Sequence, residues 1–153
     1  MILHKNIDNL EQTEQLAKKI AVRLKGGEVI ELVSDVGGGK TTFTKFLVKA
    51  LGSTDTVSSP TFTVSKLYHT PKVAVYHYDF YRLNDPHYVT EALQENVQDT
   101  QAITIIEWGG LVDDVLPKSR LKVTLQKHPS IETARHIVLE SDDEHTYILE
   151  DIA

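Results

Sequence analysis

The run EVIELV, SDVGGGK, TTFTKFLVKALG, residues 28–52, constrains this chain more than any other stretch. A short apolar segment of strand type leads into three consecutive glycines. A helical pattern follows at once, with Phe43, Phe46, Leu47 and Ala50 on one face and Gly52 to end it. Gly37, Gly38 and Gly39 let main-chain N–H groups turn inward, and the following helix aims the positive end of its dipole at the same point. This is the layout of the phosphate-binding pattern G-x-x-x-x-G-K-[ST], with Ser34 in place of the first glycine. Asp35, Val36, Gly37, Gly38, Gly39, Lys40, Thr41 and Thr42 are therefore the expected nucleotide-binding residues. Lys40 would reach the β and γ oxygens, and the Thr41 hydroxyl would ligate Mg2+. Ser34 stands at the strand exit and is small, so a modest local adjustment is expected there. The alternative, a glycine-rich turn that holds nothing, gives no packing reason for GKT at a strand-to-helix junction.

With 153 residues, 41% hydrophobic and 25% charged, the chain can bury one core, and a single domain over residues 1–153 is expected. Cysteine is absent, which fits a reducing cytosol. No apolar run approaches the roughly 18 residues of a membrane span, and MILHKNID has no signal-peptide core, so a cytoplasmic protein without a membrane partner is expected. The formal net charge of −6 argues against broad nucleic-acid binding by the chain alone. The local exception, Lys118, Arg120, Lys122, Lys127 and Arg135 against Glu132, reads as a solvated strand face.

Periodicity sets the rest. Asp8 and Glu11 form a capping box for a helix carrying Leu10, Leu16, Ala17, Ile20 and Leu24, expected to stop at Gly26-Gly27. TFTVSKLYH and KVAVYHYDFYR read as a hairpin turning at Thr70-Pro71, and Asp85-Pro86 opens a helix through Gln98. AITIIEW is a buried strand; RLKVTLQ and RHIVLES are further strands, with a weaker one at HTYILEDI. The expected fold is α/β, a mixed β-sheet flanked by helices in a P-loop NTPase-like domain.

A nucleotide hydrolase also needs an acid near the Mg2+ shell, at the end of a neighbouring strand. Glu107 and Asp79 both qualify: each taken alone reads as a cap or a surface charge, and taken with Lys40 and Thr41 as an acid of the metal shell. Ser59 or Thr61 in SSPTF could sense a γ-phosphate as switch loops do, or form an ordinary turn. Trp108 is either core or a contact surface.

SDVGGGKTTF, SPTFTV, YHYDFYRL and IEWGGLVDDVLP, in this order, resemble the bacterial TsaE (YjeE) family over nearly the whole chain. The usual family loop reads GDLGAGKT, from which this sequence departs at Ser34, Val36 and Gly38. The resemblance implies an ATPase that serves tRNA N6-threonylcarbamoyladenosine formation at position 37. It would act with TsaD and TsaB and meet tRNA only through that complex. It also implies ATP on Lys40 and the loop, Mg2+ on Thr41 and Glu107, Asp79 near the phosphates, and Trp108 beside the catalytic acid. Arg135 matches an arginine that approaches the nucleotide, and Thr13 a position near the adenine. Two other readings remain at this point: a small-molecule kinase, for which the short connections leave no lid, and a nucleotide-gated interaction module without turnover.

Overall fold

The structure, a computed structural model, describes residues 1–85 and 87–152. Along the chain run β1 (Ile2–Ile7), α1 (Leu10–Ala21), β2 (Val29–Val33), α2 (Lys40–Ala50), β3 (Ser65–His69), β4 (Ala74–Asp79), α3 (His87–Gln98), β5 (Ala102–Glu107), β6 (Leu121–Lys127), β7 (Arg135–Glu140) and α4 (Thr146–Leu149). The strands form one seven-stranded sheet in the order β1-β7-β6-β2-β5-β4-β3. The inner strands β6, β2, β5 and β4 are parallel, while β3 at one edge and β7 and β1 at the other are antiparallel. The fold is thus the expected mixed α/β sheet.

Alternation along the strands divides the core. Ile30, Leu32, Ile103, Ile105, Val123 and Ile137 face Leu16 and Ile20 of α1, Phe43 and Leu47 of α2, and Ile148 of α4. On the opposite face Val29, Tyr78 and Ile106 meet Phe80, Leu93, Val112 and Leu116. All six residues of β5 are buried, as expected of a strand covered on both faces.

Several local expectations are corrected. The cap of α1 is Asn9, whose Oδ1 accepts from the Gln12 N–H at 2.9 Å, and Gln12 Oε1 accepts from the Asp8 N–H at 2.9 Å. The box therefore sits one residue beyond the Asp8–Glu11 reading, because Asn9 supplies as good a capping oxygen as Asp8. Helix α1 ends at Ala21, where Arg23 and Leu24 donate to Ile20 and Ala21 in a tightened turn, and Gly26-Gly27 instead lead the chain into β2. The first strand of the hairpin begins only at Ser65. Thr63 N–H closes a turn on Pro60 at 3.1 Å and Val64 has φ 66°. The expected strand at HTYILEDI is helical at Thr146–Leu149. Ile148, Leu149 and Ile152 are all buried in one core, and only helical spacing places them on one side. Ile2–Ile7, to which the sequence reading assigned no element, is an edge strand paired with β7. The expected start of α3 at Asp85-Pro86 falls partly on Pro86, outside the described residues; Asp85 Oδ1 accepts from the His87 N–H at 3.0 Å.

Candidate functional site

Strand β2 delivers the glycine loop to the carboxyl edge of the sheet, and α2 starts directly behind it. Gly37 and Gly39 hold φ of 74° and 107°, left-handed conformations that a side chain would strain. Gly39 is the N-cap of α2; no side chain caps the helix and no acid lies in its first turn. Its leading N–H groups and dipole are therefore left for an external anion.

Lys40, the first residue of α2, is only 8% exposed. Its Nζ is held by neutral groups: Ser34 Oγ at 3.0 Å, the Ser34 carbonyl at 3.3 Å, the Asp35 carbonyl at 3.4 Å, and the Trp108 ring with its centroid at 5.0 Å. A buried ammonium held only by neutral oxygens gains much from an anion, because a charge-assisted bond is about twice as strong as a neutral one. Arg135 arrives from β7 and donates from Nε to the Gly38 carbonyl at 2.8 Å.

Across from the loop lie two buried carboxylates. The parallel register of β4 and β5 sets Asp79 beside Glu107, 4% and 2% exposed. Asp79 Oδ2 accepts from Thr61 Oγ1 at 2.7 Å and Oδ1 from the Tyr81 N–H at 2.9 Å. Since Thr61 gives its hydrogen to the carboxylate, Ser59 Oγ, 2.6 Å away, is the donor between the two hydroxyls. Glu107 Oε2 lies 2.9 Å from Nε2 of the fully buried His77. A carboxylate only accepts, so Nε2 carries the hydrogen. Behind His77, the Tyr68 hydroxyl sits 3.4 Å from Nδ1 and donates to the Ser58 carbonyl at 3.0 Å. Burial raises the Tyr68 pKa, so the phenol keeps its hydrogen. Segment 58–61 therefore bonds directly to Asp79 and, through Ser58, holds the Tyr68 hydroxyl that lies against His77 on the Glu107 side.

One cavity of about 510 Å³ joins these parts. Val36, Gly37, Gly38, Gly39, Lys40, Thr41, Thr42, Asp79, Glu107, Trp108 and Arg135 all line it. Of the other expected site residues, Asp35 contributes through its carbonyl to Lys40, and Thr13 lies in a small adjoining pocket with Gly39, Thr42 and Arg135. Thr41, Asp79 and Glu107 offer only oxygen donors, the set that Mg2+ takes. Among the described residues no cluster of three or more His, Asp or Glu could hold an ion unaided, so ligand and water oxygens would have to complete its shell.

Trp108 is not core: it is 38% exposed, has φ 57°, and packs on Tyr81 with ring centroids 4.9 Å apart. The basic stretch is not one solvated face either. Arg120 pairs with Glu31 and Asp113 at 2.8 and 2.7 Å, while Arg135 braces the loop. Sequence reasoning assigned no role to His77, Tyr68 or Tyr81, nor to Arg82, which also lines the cavity. His77, Tyr81 and Arg82 flank Asp79 in YHYDFYRL, but nothing in the spacing said which face each would take or which strand would lie beside it.

The chain is similar over most of its length to proteins of one family. A family model described as "Threonylcarbamoyl adenosine biosynthesis protein TsaE" matches residues 7–137. A Bacillus subtilis protein called "tRNA threonylcarbamoyladenosine biosynthesis protein TsaE" is 38% identical over 78% of this chain and 74% of its own length. An Aquifex aeolicus protein of the same description is 42% identical over 67% of this chain and 73% of its own length. The crystal structure of Bacillus subtilis YdiB superposes with a TM-score of 0.81 and 29% identity, covering 99% of this chain and 94% of that one.

Proposed function

The chain belongs to the TsaE family of tRNA threonylcarbamoyladenosine biosynthesis, and on that premise we propose that it is a Mg2+-dependent ATP hydrolase that resets a TsaD–TsaB transferase between cycles. The observation that carries this reading is the cavity itself. An uncapped helix N-terminus and a lysine held only by neutral groups lie on one side, and two adjacent buried carboxylates on the other. The work would be cytoplasmic, and tRNA would be met only through the complex.

In this reading the amides of the loop and of the first turn of α2 cradle the phosphates. Lys40 exchanges the oxygens of Ser34 and Asp35 for phosphate oxygens, and Arg135 holds the loop shape from Gly38. The base would lie toward Thr13 and Arg135, over an adjoining pocket whose volume of about 20 Å³ is too small to enclose it. Thr41, Asp79 and Glu107 would hold Mg2+, which when bound neutralises charge between the phosphates. Glu107, held by His77, orients the attacking water, and Thr61 couples Asp79 to segment 58–61. The mouth of the cavity carries apolar Val36 and Phe62, 65% and 83% exposed. A site so open excludes water poorly, so slow hydrolysis alone and acceleration by partners that cover the mouth are expected.

The test is single-turnover phosphate release from Mg-ATP, alone and with TsaD and TsaB. Release that rises only in their company supports the proposal, and equal rates remove the reset role. Transfer to an added acceptor points to a kinase. Binding without release leaves a nucleotide-gated module.

A further inference from the structure

We infer that Ser34 and Gly38 are a matched pair: the Ser34 side chain fills the space beneath the loop that a side chain at position 38 would need, and its hydroxyl positions Lys40. A Cβ placed on Gly38 would lie 2.5 Å from Ser34 Cβ and 2.4 Å from Ser34 Oγ. The first distance does not depend on the serine rotamer, so no side-chain rotation relieves it. Gly38 is also not among the loop glycines held at positive φ, unlike Gly37 and Gly39. Its backbone would accept alanine, and the contact with Ser34 is the main reason it cannot. The peptide cannot easily swing away, because Gly38 N–H donates to the Asp35 carbonyl at 2.9 Å and the Gly38 carbonyl accepts from Arg135 at 2.8 Å. The Asp35 carbonyl oxygen, also 2.9 Å from the added Cβ, is backbone and has to shift in either background; Ser34→Gly frees it to do so by removing the hydroxyl that donates to it at 2.9 Å.

The hydroxyl has its own part. Ser34 Oγ donates to the Asp35 carbonyl at 2.9 Å and accepts from Lys40 Nζ at 3.0 Å, the shortest of the three oxygen contacts of that ammonium. Ser34 is thus a positioning residue that acts through Lys40. Its bearing on ATP rests on the reading above, but the pair is a property of the loop itself.

Two measurements without nucleotide test it. Thermal unfolding is compared for the parent, Gly38→Ala, Ser34→Gly and the double variant. Gly38→Ala should lower Tm by about 5 °C or more in the parent, the effect of forcing extra volume into a packed site. In the Ser34→Gly background the same change should shift Tm by less than about 2 °C. Equal shifts in both backgrounds overturn the pair. If Gly38→Ala does not fold, the pair stands when the double variant folds and falls when it does not. The second measurement is the rate of Lys40 acylation by acetic anhydride, read by mass spectrometry. Ser34→Ala keeps the Cβ and removes only the hydroxyl, and should raise Lys40 labelling about threefold relative to the other lysines; an unchanged ratio overturns the positioning role. A protein that passes both tests yet binds no Mg-ATP would sink the ATP reading and leave this inference intact.

Discussion

The two sides of the cavity are built on opposite principles. On the loop side the binding groups are main-chain N–H groups and one lysine within a span of seven residues, Ser34 to Lys40, with Arg135 and Trp108 in contact from outside that span. On the acid side they are side chains on separate strands, and their partners, His77, Tyr68, Thr61 and Tyr81, come from four further positions. The loop side suits holding a ground-state anion, because its N–H groups cannot lose or move their charge. The acid side suits chemistry, because a carboxylate's effect depends on exact placement against developing charge. Affinity should therefore follow the loop, and turnover the acids.

The largest effect that could break this division is on turnover. Glu107→Gln should lower partner-stimulated hydrolysis by on the order of a hundredfold or more. ATP affinity should change by less than about tenfold, or roughly 1.4 kcal/mol. Asp79→Asn measured beside it decides between the acids, since near-parental turnover of Glu107→Gln would hand the role to Asp79. Next comes Lys40→Ala, expected to weaken nucleotide binding by on the order of 1.5 to 3 kcal/mol in calorimetric titration, as loss of charge-assisted bonds does. If binding survives and only turnover falls, the loop side is not the ground-state clamp.

His77→Ala should lower turnover by roughly tenfold with little change in affinity, because it frees Glu107 without touching the loop. Added to Glu107→Gln it should cost almost nothing more, the non-additivity of groups that act as a unit. Additive losses would mean that His77 only supports the fold. The smallest effect is expected at Ser34→Gly, with nucleotide affinity within about threefold of the parent. The two carbonyls that hold Lys40 remain, and Ser34 makes no indispensable phosphate contact in this reading. A loss as large as that of Lys40→Ala would show the serine to be part of the clamp.

The legibility of the two sides differs in the same way. The backbone course of the loop side was readable, since a strand, three glycines and a helix in immediate succession leave few other courses. Asp79 and Glu107 were readable as strand ends, but their neighbourhood was not: it follows from which strand lies beside which. The C-terminal segment was misread for a related reason. HTYILEDI has strand-like composition, and its helical form is decided by a core that takes Ile148, Leu149 and Ile152 together and by Tyr147, whose hydroxyl lies 2.6 Å from Glu28 Oε1.

The sequence by itself determined the strand–loop–helix, the buried β5 and the mixed α/β class, because each rests on local backbone preferences and periodicity, and the family, because its motifs are short runs in a fixed order along the chain. Only the tertiary structure decided that Arg135 crosses 97 positions of sequence to the Gly38 carbonyl, that His77 stands behind Glu107, and that Asp79 lies beside it. It also turned two apparently separate departures from the family loop, Ser34 and Gly38, into one. Side chains exclude each other by distance in space, and four positions of sequence do not say that two Cβ positions lie 2.5 Å apart.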